Sequence, residues 1–112
     1  MSGNRKAHHL HTRFRLKFTQ LNQDLFIRTL VDSPLCACGC TEDYMHYFLE
    51  CPVYRVERET LLMHINNFVN TARISKKKIV DIIIYGRTDL SVQDNANIAE
   101  HVQTYIIDTK RF

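Results

Sequence analysis

The sequence predicts a small, mostly α-helical domain organised around one irregular, cysteine-bearing centre. Three observations carry that reading. At 112 residues the chain can build one hydrophobic core and not two. Its composition, 45% hydrophobic and 24% charged with only three Gly and two Pro, is that of a globular protein. All four cysteines lie between Cys36 and Cys51, and apolar residues recur at helical spacing on the C-terminal side and, less regularly, on the N-terminal side. Length and composition argue against a self-sufficient polymerase, kinase or large hydrolase. The longest apolar-rich run, Ile79 to Tyr85, is short and contains Asp81, so no membrane span is expected. Met1 to His11 is polar and basic with no apolar signal core. An intracellular protein is therefore expected, nuclear or cytoplasmic and not secreted.

Taken in order, residues 1–12 read as a disordered basic tail and residues 13–112 as a single helical domain. Arg13-Phe14-Arg15-Leu16-Lys17-Phe18 alternates strictly and is strand-like, although its neighbours read as helix. Thr19 caps a helix through Leu21, Leu25, Phe26 and Leu30, stopped by Asp32-Ser33-Pro34. After the cysteine unit, Pro52 suits the first turn of a helix running to about Val69. That helix carries Tyr54, Arg58, Leu61, Leu62, Ile65, Phe68 and Val69 on one face. Ser75 caps a helix from Lys76 to Tyr85 with Gly86 as its left-handed terminator, while the Ile/Val run fits a strand equally well. Ser91, with Asp94 three residues on, opens the last helix. There Val92, Ala99, Val102 and Ile106 share one stripe, with Ile98 and Tyr105 beside it.

The cysteine unit reads Cys36-Ala-Cys38-Gly-Cys40, then His46 after five residues and Cys51 after four more. In an intracellular chain such a cluster is more often a metal site than a set of disulfides. Three thiolates and one imidazole complete a closed tetrahedral shell, the chemistry of structural zinc. Thr41, Glu42 and Asp43 signal a helix start, so a short helix from Tyr44 to Leu49 carries His46. Residues five apart on an α-helix diverge by about 140°, so the helix must end before Cys51. Pro52 ends it by disfavouring the helical conformation at Cys51. Gly39 permits a positive-φ turn between the thiols. His46 and Cys51 belong to every arrangement of ligands, while the other pair is Cys36 with Cys40 or Cys36 with Cys38.

Charge is distributed in blocks. Residues 1–30 carry six basic and one acidic side chain, and residues 53–78 six basic and two acidic. Residues 31–52, between them, carry four acids and no base. Arg13, Arg15 and Lys17, interleaved with Phe14 and Phe18, and the run Lys76, Lys77, Lys78 are candidate contacts to RNA or DNA phosphates. Solvated helix faces and buried helix aromatics are the competing reading. His8, His9 and His11 form a weaker metal candidate, and Tyr54 with Arg58 reads as a core tyrosine beside a snorkelling or ion-paired arginine. No paired-carboxylate motif, phosphate-binding loop or activated nucleophile is found, so the expected protein is not an enzyme.

Several stretches together resemble a known family. They are Leu21-Asn22-Gln23-Asp24-Leu25-Phe26, Asp32-Ser33-Pro34-Leu35-Cys36-Ala37-Cys38-Gly39, and His46 through Cys51-Pro52-Val53-Tyr54 to Arg58. This pattern resembles the C-terminal zinc-knuckle-like segment of non-LTR (LINE-type) retrotransposon reverse transcriptases, over about residues 13–112. The resemblance implies Cys36, Cys38, His46 and Cys51 as zinc ligands, with Cys40 at a variable position. It also implies a stand-alone remnant or fragment without polymerase or endonuclease, gripping RNA or DNA through a zinc-stabilised module. The alternative is a zinc-stabilised interaction or packing module that docks a polymerase domain or another protein and binds no nucleic acid.

Overall fold

The computed structural model describes residues 5–16 and 19–112. Among them the chain is mostly helical with no strand, only an isolated antiparallel bridge between Leu35 and Thr41. The helices are α1 (Arg5–Arg15), α2 (Asn22–Ile27), α3 (Arg55–Ile65), α4 (Lys76–Tyr85) and α5 (Val92–Thr109), with a π-helical turn over His46–Glu50. The long α5 packs against both α3 and α1, and α4 closes onto α1 and α5. No helix among the described residues is long and apolar enough to cross a membrane.

The N-terminal segment departs from the sequence reading twice. Residues 5–12 are not a disordered tail but part of α1, and Thr12 to Arg15 are helix rather than strand. The cause is a helical spacing hidden beneath a polar composition: Ala7, His11 and Phe14 fall on one side of α1 and are buried. Their partners lie far along the chain, Ile83 of α4 for His11 and Tyr47 and Phe48 for Phe14, so no local pattern reveals them. Lys17 and Phe18 lie outside the described residues.

His11 shows how tightly α1 is seated. Its Nε2–H donates to the carbonyl of Ile83 at 2.8 Å, and its ring is 3% exposed. Burial lowers its pKa from 6.5 to about 4, against the opposing pull of the Ile83 carbonyl. In the unfolded chain the ring takes up its proton near pH 6.5, whereas in the fold it does so only near pH 4. Stability from the neutral ring is therefore complete above pH 6.5 and is lost as pH falls toward 4, by about 3 kcal/mol. Urea unfolding at about pH 7 and about pH 4.5 will show this loss, and His11→Gln will show a smaller one. Equal losses in the two proteins would remove His11 as the cause.

α2 is shorter than its sequence predicts. It stops at Ile27, and Thr29 turns the chain with φ +59°. Leu21, not Thr19, occupies the cap position; Thr19 instead donates its N–H and hydroxyl to Asp24. The predicted α3 begins with a 3₁₀ turn at Pro52–Tyr54 and buries Leu61 and Ile65. Ser75 and Ser91 cap α4 and α5 by accepting from the N–H groups of Lys78 and Asp94.

Gly86 does end α4, but in an extended positive-φ conformation (φ +77°, ψ −167°) rather than a left-handed helical one. A Cβ there would meet Asn95 Oδ1 at 2.8 Å. Asn95 needs that position because its amide accepts from the N–H of Arg87 and donates to the Arg87 carbonyl, tying α4 to α5. On α5 the expected stripe holds for Val102 and Ile106, which are buried with Ile98 and Tyr105, but Val92 is 89% exposed. The first turn of α5 stands clear of the core.

Where these helices meet, an aromatic cluster fills the core. Phe14 of α1 lies 4.9 Å from Phe48 and 5.8 Å from Tyr47, and Tyr47 lies 5.4 Å from Tyr105 of α5. Phe14 is 1% exposed, so it is a packing residue and offers no face to a nucleic-acid base. Tyr47 and Phe48 belong to the π turn. The core therefore holds from beneath the same turn that carries His46.

Candidate metal centre

The centre is assembled from a tight loop and a helical turn. Loop 34–42 folds back on itself: the Cys36 N–H donates to the Cys40 carbonyl at 2.7 Å and the Gly39 N–H to the Cys36 carbonyl at 2.9 Å. The Leu35–Thr41 bridge and a bond from the Glu42 N–H to the Pro34 carbonyl close its base. Gly39 makes the reversal at φ +95°, with open space where a side chain would be. The turn places Cys36 and Cys38 side by side, and the Cys38 N–H points at Cys36 Sγ, 3.2 Å away.

The other two donors come from the turn that follows. Asp43 caps it, accepting from the His46 N–H at 2.8 Å. The helix ends at Glu50, short of Cys51, as the sequence predicts, but its last turn is not α-helical. It widens into a π turn in which the Cys51 N–H bonds to the His46 carbonyl at 2.8 Å. Hydrogen bonding five residues apart brings residues five apart to the same edge, which is what this pair of ligands needs. Cys51 itself is extended (φ −67°, ψ 122°), as expected before Pro52. Arg58 of α3 secures it by donating from Nη1 to the Cys51 carbonyl at 2.8 Å.

Cys36, Cys38, His46 and Cys51 offer four ligand atoms that all lie within 4.8 Å of one another, a group that can hold a metal ion. Cys36 Sγ is 3.0 Å from Cys38 Sγ, 3.2 Å from His46 Nε2 and 3.8 Å from Cys51 Sγ. Cys38 Sγ is 3.1 Å from His46 Nε2 and 4.0 Å from Cys51 Sγ. The cysteines are free thiols. His46 and Cys51 are buried against the core, while Cys36 and Cys38 are half-exposed at the surface. Cys40 is exposed and outside the group.

The thiols influence one another strongly. Burial, and then the neighbouring Cys38 sulfur, push Cys36 up to about 12. The hydrogen bond from Cys36 brings Cys38 down to about 6. A bound cation would displace the proton these two sulfurs share.

One supporting interaction has no local signal in the sequence. Glu42, read as a helix-start acid, is instead buried, with its side chain 3% exposed, and accepts from Arg111 near the far end of the chain. Arg111 Nη2 and Nε meet its two carboxylate oxygens at 2.6 and 2.8 Å. Glu42 also accepts from the Asn22 N–H at 2.7 Å. The base of the cysteine loop, α2 and the C-terminal segment are joined at this one carboxylate.

The basic candidates do not form one patch. Arg13 is exposed on α1, and Arg15 Nε donates to the Ile84 carbonyl at the C-terminal end of α4. Lys76, Lys77 and Lys78 form the opposite, N-terminal end of α4, where Lys76 meets Glu50 at 3.4 Å and Lys77 meets Asp81 at 3.7 Å. Compared with protein-family models, curated proteins and solved structures, the chain gives no match.

Proposed function

We propose that the chain is a zinc-stabilised helical module that binds RNA or DNA and carries out no catalysis. In this reading it is of the same kind as the C-terminal zinc-binding segment of non-LTR retrotransposon reverse transcriptases. The observation that carries it is the convergence of three thiols and one imidazole. In a tetrahedral zinc site with Zn–S near 2.3 Å, sulfurs stand about 3.8 Å apart. The Cys36–Cys51 and Cys38–Cys51 separations of 3.8 and 4.0 Å fit that value, and the shorter Cys36–Cys38 contact needs only a small opening. Soft thiolates with one imidazole favour zinc over calcium or magnesium. Four protein ligands leave no open position, so bound zinc would cross-link the loop to the π turn and supply stability rather than reactivity.

Exposed basic residues on α1 and at the start of α4 support an anionic polymer as the partner. The test is fluorescence anisotropy of the zinc-loaded protein with a labelled RNA and a labelled DNA duplex, each ~20 nucleotides long, between ~50 and ~200 mM salt. Binding that falls steeply and linearly in log–log form is expected. A second reading rests on Phe26, Ile27, Leu30 and Leu35, large apolar side chains that are 44–67% exposed beside the cysteine loop. They fit a module that docks another protein. Absence of nucleic-acid binding even at the lowest salt would leave that reading in place of the first.

A further inference from the structure

We infer that the outer face of α1, centred on Arg5, His9 and Arg13, is the surface that takes the nucleic-acid phosphate backbone, with Lys76 to Lys78 secondary. The inference rests on the nucleic-acid reading above and assigns it a place. Over its eleven residues α1 contains no acidic side chain. Ala7, His11 and Phe14 turn inward, and Arg5, Lys6, His8, His9 and Arg13 are exposed. Arg5, His9 and Arg13 follow one another at intervals of four, so they line one edge of the helix with a rise of about 6 Å per step. Neither Arg5 nor Arg13 makes an ion pair among the described residues. Lys76 and Lys77 are each shared with a carboxylate of this chain.

The face is also rigid. The bond from His11 to Ile83, the bond from Arg15 to Ile84 and the bond from Lys6 Nζ to the Phe112 carbonyl at 3.1 Å fix α1 along its length. A preorganised array of cations loses less freedom on binding than a flexible tail does.

The start of α1 is poor for the helix itself. Arg5 and Lys6 in the first turn oppose the positive end of the helix dipole, while Arg13 and Arg15 in the last turn favour its negative end. A helix selected for its own stability would place acids at its start. Local rules broken on a rigid, solvent-facing surface mark a place where a partner supplies the missing charge. Among the described residues, Leu16 is the one large apolar side chain exposed at the end of this face, which favours a phosphate backbone over insertion into a lipid surface.

The test compares the zinc-loaded protein with Arg5→Gln/Arg13→Gln and with Lys76→Gln/Lys77→Gln, using the same RNA and DNA probes and anionic phospholipid vesicles. The α1 variant is expected to lose roughly 10-fold or more in affinity, and its salt slope is expected to fall by about 2. Its thermal midpoint should stay close to the parent's, because Arg5 opposes the helix dipole while Arg13 favours it. The α4 variant should bind within about 3-fold of the parent. Parent-level binding by the α1 variant would overturn the assignment while leaving nucleic-acid binding intact. A parent protein that binds neither probe would remove the underlying reading as well. Vesicle binding that depends on Arg5 and Arg13, without nucleic-acid binding, would overturn both in favour of a membrane surface.

Discussion

A Cys51→Ser protein is expected to purify without metal and to lose its cooperative thermal transition. Cys51 is 1% exposed, its sulfur faces those of Cys36 and Cys38, and its backbone closes the π turn on one side and receives Arg58 on the other. Structural zinc contributes on the order of 10–16 kcal/mol of apparent binding in small modules. A domain of this size is stable by only about 5–15 kcal/mol in total. The loss spreads because Tyr47 and Phe48, from the same π turn, sit at the centre of the aromatic core. Metal analysis should find one zinc per chain in the parent and none in the variant, with reduced far-UV helical signal. Cys40→Ser should retain the metal, since Cys40 is exposed and outside the group of four. A metal-free parent with unchanged helix and thermal midpoint would remove the structural role of the centre.

Arg111→Ala should be the most damaging substitution outside the ligands and the aromatic core. It would leave the Glu42 carboxylate buried and without its cation, a change that costs about 3 kcal/mol or more. For a domain of this length that corresponds to a fall of roughly 10–25 °C in thermal midpoint. The effect should reach the metal centre, because Glu42 is the residue that follows the Leu35–Thr41 bridge. Slower zinc retention against a chelator is the second readout. Combining Arg111→Met with Glu42→Gln should restore part of the stability, since no unpaired charge then remains. If the double variant were as unstable as the sum of its parts, the ion pair would not be the source of the effect.

Much of the metal centre could be read from the sequence because its parts are close together. Thiols within sixteen residues, Gly39 at the reversal and Pro52 after the last ligand are all local signals. The capped starts of α4 and α5 were legible for the same reason: a serine hydroxyl and an N–H three residues away decide them. The stop before Cys51 was legible from Pro52, but the π turn leading to it was not, because the bond from the Cys51 N–H to the His46 carbonyl leaves no mark on residue type. α1 and the Arg111–Glu42 pair were missed for a shared reason. Phe14 packs on residues more than thirty positions away, and Arg111 and Glu42 are 69 apart, so composition near Phe14 said only "polar and basic" and that near Glu42 only "helix-start acid". The left-over partner on each side became visible only in three dimensions.

The pairing of α1 with α5 also fixes an order of events during synthesis. When Arg15 leaves the ribosome, the helices that bury Phe14 and His11 do not yet exist. At about 5–20 residues per second, the chain needs roughly 5–20 s to reach Thr109. Early in that interval only Tyr47 and Phe48, and then α4, can receive α1, and its contact with α5 comes last. The ligand set, by contrast, is complete as soon as Cys51 emerges, so the metal can be taken up while the first helix is still waiting for the last.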